Sequence, residues 1–168
     1  YDVNKSKALL KSAGYANGLT INLDLPPIAY ATNSGEFIAA SLAKVGIKVN
    51  LKPIAWGEWI DRVFTKKDYD MTIVCHIESN DMAIYANPAY YFGYNSTTYQ
   101  GLIKKAASAK TQEARVENLK KAARLLANDS VSDWLWLIPN LQVAKKTISG
   151  IPLNTVGDAY TVDRITVG

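Results

Sequence analysis

The sequence predicts an α/β domain in which a mixed, largely parallel sheet is flanked by helices. Two observations support this prediction. Strand-like and helix-like segments alternate from residue 19 to residue 77, and the last of these strands has β-forming residues on both of its faces, as in a sheet packed between helices. The length of 168 residues suits one domain, and 48% hydrophobic with 20% charged residues is typical of a globular protein.

The chain is expected to begin with a helix and a strand. Asp2 can cap the helix, and Gly14 supplies the backbone freedom that commonly ends one. Leu19 to Leu25 then predicts a strand, because it is apolar and is stopped by Pro26-Pro27.

A second helix and strand should complete a parallel crossover unit. Asn33 or Ser34 is the expected N-cap, Phe37 belongs to the expected buried face, and Gly46 ends the helix. Ile47 to Ile54 alternates apolar and polar residues, which indicates a strand. A strand, a helix and a strand joined by short loops form a right-handed parallel unit.

A third helix, from Gly57 to about Lys66, leads into the predicted strand Tyr69 to Ile77. Cys75 lies in this strand among apolar neighbours and is expected to be a small core residue. It is the only cysteine, so an intrachain disulfide is excluded.

The second half of the chain predicts helices followed by weaker strands. A short helix surrounds residues 102–106, and Thr111 should cap a longer one that ends near Asn128. Trp134 to Ile138 reads as a buried strand and Leu141 to Lys146 as its antiparallel return, with a weak strand at Tyr160 to Val167. Residues 149–168 are rich in Gly, Pro, Asn and Asp, and we expect them to form a tail that is distinct from residues 1–148 and crosses to another part of the protein.

Polar and aromatic side chains follow the predicted strands at their carboxyl ends, where open α/β sheets bind ligands. The same pattern also fits an aromatic loop that covers a core, with carboxylates serving as helix caps. The candidate ligand-binding residues are His76, Glu78, Ser79, Asn80, Asp81, Tyr85, Tyr91, Trp56 and Tyr30.

Several functional classes lack support. The basic residues behind the net charge of +4 are dispersed, so nucleic-acid binding is not expected. No Gly-x-Ser-x-Gly, phosphate-binding or His-Glu-x-x-His motif occurs, so the chain is expected to be non-enzymatic and to need no cofactor. His76 is the only histidine, which argues against a metal site built on it alone. No apolar run is long enough for a membrane helix, and a signal sequence would lie upstream.

Four segments resemble, in order, the C-terminal part of ABC-transporter solute-binding proteins of the peptide/nickel type, family 5. They are YDVNKSKALLKSAGYANG, LAKVGIKVNLKPIAWGEWIDRVFTKKDYDMTIV, TQEARVENLKKAARLLANDS and WLWLIPN, and the last twenty residues resemble the family's terminal segment. The resemblance implies one lobe of a two-lobe periplasmic receptor that closes on a small solute and delivers it to an ABC permease. Membrane contact is expected only through the permease or an upstream lipid anchor.

The resemblance also implies a ligand anchor after the strand that ends near Ile77. Peptide-binding members have Gly-Trp there, followed by an aspartate that pairs with the α-ammonium group of the peptide. Cys75-His76 takes the Gly-Trp place in this sequence, so either Glu78 or Asp81 is the expected anchor. A sensory module of a transcription regulator, using the same fold, is the alternative function.

Overall fold

The computed structural model describes residues 1–76, 78, 80–139, 141–152 and 162–168. Within them the chain forms two compact units. The first unit comprises Tyr1–Cys75 and Pro88–Gly93, and the second comprises His76–Asn87 and Tyr94–Gly168. No helix of the described residues has both the length and the apolar character needed to cross a membrane.

The first unit is a parallel three-stranded sheet with helices between its strands, which confirms the predicted α/β class. The strand order is β2-β1-β3, and β1 pairs with β2 along its whole length, from Leu19 opposite Ile47 to Leu25 opposite Pro53. Its elements are α1 (Val3–Ser12), β1 (Leu19–Leu25), α2 (Ala29–Ala43), β2 (Ile47–Pro53), α3 (Trp56–Glu58), a π-helix (Trp59–Thr65) and β3 (Met71–Thr72).

Local sequence signals explain some of these boundaries. The Asp2 carboxylate accepts the Lys5 N–H at 2.9 Å, which confirms the predicted cap of α1. Gly46 has φ +91° at the end of the α2 segment, as predicted. The predicted Asn33 or Ser34 cap is wrong, because α2 already begins at Ala29 and has no side-chain cap.

The sheet is covered on both faces. Leu23, Leu25, Ala31 and Ile73 form one buried cluster. The second is formed by Ile54, Trp59, Val63 and Tyr91. Phe37 is 74% exposed, so its predicted burial is wrong; α2 buries Ala31 and Gly35 instead, since Leu25 packs closely over Gly35.

The predicted third helix, Gly57 to about Lys66, is confirmed within one residue at each end, as α3 followed directly by the π-helix. The predicted bounds of the next strand are wrong. Among the described residues of the predicted strand Tyr69 to Ile77, only Met71 and Thr72 pair with β1, opposite Leu23 and Asp24. Cys75 is exposed rather than buried, and its N–H donates to the Tyr30 hydroxyl at 2.9 Å instead of to a strand. Ile77 lies outside the described residues.

The second unit is largely helical. Its elements are α4 (Asp81–Ile84), α5 (Thr97–Ala107), α6 (Gln112–Asn128), β4 (Ile148–Ser149), a 3-10 helix (Val162–Arg164) and β5 (Thr166–Val167). Thr111 accepts the Ala114 N–H at 3.2 Å, which confirms the predicted cap of α6. In α6, Ala122 and Leu126 are buried.

The predicted strand pair after α6 is wrong. Residues 131–139 and 141–145 are not strand, and the apolar side chains of Trp134, Leu137 and Val143 are 58%, 95% and 101% exposed. A strand needs a neighbour for its backbone hydrogen bonds, and no strand of the described part of the chain pairs with this segment. β4 instead pairs antiparallel with β5, Ile148 opposite Val167.

Candidate functional site

The three parallel strands of the first unit end at the same edge of their sheet. Leu25, Pro53 and Thr72 are the last residues of β1, β2 and β3. Tyr30 and Trp56 follow the first two strands within five residues, and the segment that starts at His76 follows the third. The predicted site residues therefore come from the chain segments that, in open α/β sheets, bind ligands.

His76, Glu78 and Asp81 form a compact cluster within the second unit. Each offers a ligand atom, and these three atoms lie within 4.8 Å of one another. His76 Nδ1 lies 3.0 Å from Glu78 Oε2, while the side chains of His76 and Glu78 are 18% and 43% exposed. Asp81 Oδ1 has no accessible surface and no hydrogen-bond partner. The cluster thus combines an exposed carboxylate, an imidazole and a carboxylate with one unsatisfied oxygen.

The two carboxyl groups have pKa values shifted in opposite directions. Burial raises the pKa of Asp81, and the neighbouring Glu78 carboxylate raises it further, against the opposing effect of His76. Burial alone would raise the pKa of Glu78. The net pKa is nevertheless lowered, because the carboxylate accepts hydrogen bonds from its own backbone N–H, from His76 and from Asp81, and because it lies near the charge of His76. Glu78 therefore carries the charge more readily, and Asp81 holds its proton longer.

Of the neighbouring candidates Ser79 and Asn80, the structure describes only Asn80. Asn80 precedes α4 but makes no side-chain cap, and its carbonyl accepts the Ala83 N–H at 3.0 Å. Its side chain is exposed. Ser79 lies outside the described residues, so its predicted role stays a prediction.

Tyr85 is 7% exposed and belongs to the interior of the second unit. Its hydroxyl donates to Ser132 Oγ at 3.0 Å, and its ring lies 6.3 Å from that of Trp134. Burial raises the pKa of this hydroxyl, which keeps it a neutral donor at physiological pH. The Trp134 ring itself is 58% exposed, so its predicted core position is wrong; Trp136 is 48% exposed and is likewise not a core residue.

The three candidates in the first unit occupy different environments. Tyr30 lies in the first turn of α2 rather than in the predicted loop, and its hydroxyl accepts the Cys75 N–H. Tyr91 is 4% exposed and lies 5.6 Å from the ring of Trp59. Trp56 packs edge-on against Trp59 at 5.7 Å but is 39% exposed, so part of its ring is available to a ligand.

A second polar site was not among the predicted residues. Asp24 is fully buried in β1, and its Oδ1 accepts a 2.6 Å hydrogen bond from Arg62 Nη2. It lies beside a cavity of about 300 Å³ that is also lined by Asn22, Lys52 and Asp70. The available signal was an aspartate between Leu23 and Leu25 in an apolar strand, since a buried carboxylate requires a partner.

The class of fold follows from similarity to solved structures. The chain has the fold of a lobe of a periplasmic binding protein. The chain is similar to the substrate-binding domain of an oligopeptide ABC transporter from Bacillus anthracis. The aligned region includes 99% of this chain and 35% of that one, with a TM-score of 0.73 and 20% identity. The chain is also similar to DppA from Helicobacter pylori, whose structure was determined in complex with the peptide STSA. That alignment includes 78% of this chain and 28% of DppA, with a TM-score of 0.65 and 25% identity.

The family follows from the sequence. Residues 1–101 match the sequence model of the bacterial extracellular solute-binding proteins, family 5 Middle, and the chain belongs to this family. It is 27% identical to the dipeptide-binding protein of Escherichia coli K12 over 178 aligned positions, which include 97% of this chain and 32% of that protein. The chain thus spans about a third of the length of the curated relatives it matches.

Proposed function

We propose that this chain is the C-terminal lobe of the solute-binding component of an ABC importer, and that the solute is a dipeptide or short oligopeptide. The observation that carries the proposal is family membership over residues 1–101, joined to a carboxylate cluster directly after β3. The peptide class is supported by the names of the Escherichia coli and Helicobacter pylori relatives. We expect the chain to bind its solute without turning it over, because the family is one of solute-binding proteins.

The cluster is suited to a cationic end of a peptide. Glu78 has a lowered pKa and is 43% exposed on its side chain, so it presents an ionised and accessible oxygen. A hydrogen bond between an ammonium group and a carboxylate is stronger than a neutral one. The Asp81 carboxyl lies beside Glu78 in the cluster and forms a hydrogen bond with it.

The proposal extends to the parts of the receptor beyond the cluster. Residues 1–148 would form the ligand-binding lobe, and residues 149–168 would return toward a second lobe. Closure of two lobes around the solute would then present the loaded receptor to the transmembrane permease in the periplasm. A lobe that provides only half of the solute contacts should bind poorly. Loss of about 4 kcal/mol of contacts weakens affinity roughly a thousandfold.

The test therefore uses the protein extended to the length of its relatives, with EDTA present throughout. Melting temperature is measured against a panel of di- and tripeptides, amino-acid derivatives and sugars. A peptide at a hundred times its Kd adds about 2.7 kcal/mol to the free energy of unfolding, which is a clear shift.

The variants Glu78→Gln and Asp81→Asn locate the anchor. Each removes a negative charge with almost no change of shape, and we expect at least one to abolish the shift. Glu117→Gln is the matched control, because Glu117 is an exposed carboxylate on α6. If no peptide shifts the melting temperature, the proposal that the solute is a peptide is wrong. If the shift persists in both cluster variants, the proposed anchor is wrong.

A further inference from the structure

The positive charge of the chain is concentrated in the hairpin of α5 and α6, in the second unit. Residues 97–128, all of which the structure describes, include seven basic and two acidic residues, a net charge of +5. Of the 19 basic and 15 acidic residues of the chain, 12 and 13 lie outside this range, so the rest has a net charge of −1. The seven basic residues, all exposed, are Lys104, Lys105, Lys110, Arg115, Lys120, Lys121 and Arg124. We propose that this hairpin binds the surface of a bilayer that contains anionic phospholipids.

Four of these cations are gathered at the closed end of the hairpin. Lys104 and Lys105 lie in the last turn of α5, and Lys110 lies in the connection that ends at the N-cap of α6. Arg115 lies one turn inside α6, which begins at Gln112. Two helices that pack against each other across so short a connection form an αα-hairpin, so both helix ends lie at the same end of it. The fold thus brings together cations that the sequence shows only as scattered.

The protein itself offers these cations little compensation. Among the described residues, the one ion pair made by the seven is that between Lys121 and Glu117, at 3.4 Å, and both side chains are more than half exposed. An exposed pair of this kind contributes little to stability. Lys110 and Arg115 lie at the N-terminal end of α6, where the helix dipole is positive and a cation is unfavourable. Helix stability therefore does not explain these two cations, whereas an external anionic surface does.

The surface of the hairpin fits a bilayer better than an acidic protein. No large hydrophobic side chain is exposed in residues 97–128, and residues 100–128 contain no aromatic residue. Protein interfaces depend on buried aromatic anchors and are depleted in Lys. A bilayer presents many mobile anionic headgroups, which attract basic side chains without a fixed geometry. Because no apolar side chain is available to insert, the association should be electrostatic and reversible by salt.

Contact with a bilayer rests on the proposed function, because the solute-binding component of an importer works beside the membrane that holds its permease. Attraction of the hairpin to anionic headgroups would keep the receptor close to that membrane. The two proposals nevertheless fail separately. The peptide test contains no lipid and the lipid test contains no peptide, so each result stands without the other.

The test measures partitioning onto sedimented vesicles of mixed phosphatidylglycerol and phosphatidylcholine, with pure phosphatidylcholine vesicles as the neutral reference. The protein is extended to the length of its relatives and carries no lipid anchor. We expect binding to the anionic vesicles at about 0.01 M salt, where the Debye length is about 30 Å, and its loss at about 1 M salt, where that length is about 3 Å. No binding to anionic vesicles, or binding that persists at high salt or on neutral vesicles, would overturn the proposal.

The variant Lys104→Gln/Lys105→Gln/Lys110→Gln tests the closed end of the hairpin at about 0.1 M salt. Partitioning should fall about a hundredfold, because each cation near an anionic surface contributes roughly fivefold. Substitution of the same three residues by Arg keeps the charge and should keep the binding. Glutamine is a good helix former, and circular dichroism checks that the helices are retained.

The matched control is Lys5→Gln/Lys7→Gln/Lys11→Gln on α1 of the first unit. It removes the same number of charges from exposed positions of another helix. This control should keep most of the binding, because charges that do not face the bilayer are screened beyond about 10 Å at 0.1 M salt. An equal loss in both triple variants would show an effect of net charge alone and would overturn the assignment to the hairpin. Loss of binding in the Arg variant would also overturn it.

Discussion

The buried ion pair between Asp24 and Arg62 provides the sharpest test of the fold. Asp24 has no exposed surface in the centre of the sheet, and Arg62 from the π-helix donates to it at 2.6 Å. The Arg62 guanidinium also donates to the Asp68 carbonyl at 2.9 Å and lies 3.5 Å from Glu58. The hydrogen bond from Arg62 to Asp24 and the charges of the nearby carboxylates raise the pKa of Arg62, so the guanidinium stays protonated.

The perturbation is Arg62→Met, which keeps the aliphatic part of the side chain and removes the charge. Asp24 Oδ2 has no hydrogen-bond partner, so Arg62 holds the charge of this carboxylate almost alone. Breaking one side of a buried pair costs about 3–5 kcal/mol, because the remaining charge is left uncompensated. The double variant Asp24→Leu/Arg62→Met should recover most of that loss, since an apolar replacement of a buried pair is often neutral.

Urea unfolding followed by tryptophan fluorescence measures these free energies, because Trp59 is buried in the same unit. Lys66→Met is the control. It breaks the pair between Lys66 and Asp61, which is 2.7 Å long but has both side chains more than half exposed, and it should cost less than about 1 kcal/mol. If Arg62→Met costs no more than Lys66→Met, the assignment of Asp24 as a buried charge is wrong.

Two further predictions concern a tyrosine and a pair of glycines. Burial raises the pKa of Tyr99 to about 12, so its stabilising contribution is present below the unfolded pKa of about 10 and is lost as the pH rises through 12. That loss is about 3 kcal/mol, and urea unfolding at pH 9 and pH 12 should show it in the unmodified chain but not in Tyr99→Phe. Gly14 and Gly18 have φ +89° and +82°, but only at Gly18 would a Cβ meet a backbone oxygen, that of Gly46 at 2.3 Å. We therefore expect Gly14→Ala to cost about 1–2 kcal/mol and Gly18→Ala to cost clearly more; equal melting temperatures would contradict this.

Much of the first unit could be predicted because its signals are local. The alternation in β1 and β2, the cap at Asp2 and the glycine at position 46 each act within a few residues, and the structure agrees with all of them. The predicted strands after β3 and α6 failed for a common reason. Apolar alternation shows that a segment can form a strand, but a strand forms only where a neighbour completes its hydrogen bonds.

The sequence nominated candidate residues in the segment that leads into α4, but it could not predict which of their side chains converge. His76, Glu78 and Asp81 stand at spacings of two and three residues, and no single helix or strand period relates all three positions. Their convergence is therefore a property of the tertiary structure. The burial of Tyr91 within an aromatic cluster is likewise a property of packing, since the sequence shows only that many rings lie nearby.

The sequence by itself determined the fold class, the parallel crossover unit and the family resemblance, because these depend on patterns that short segments carry within themselves. The tertiary structure alone decided which residues meet across long stretches of chain. Arg62 reaches Asp24 from 38 residues away, and Trp59 donates from its indole to Thr72 at 2.9 Å. These contacts arise because the crossover folds the π-helix back onto β1 and β3, and a buried polar group is stable only where such a partner is present.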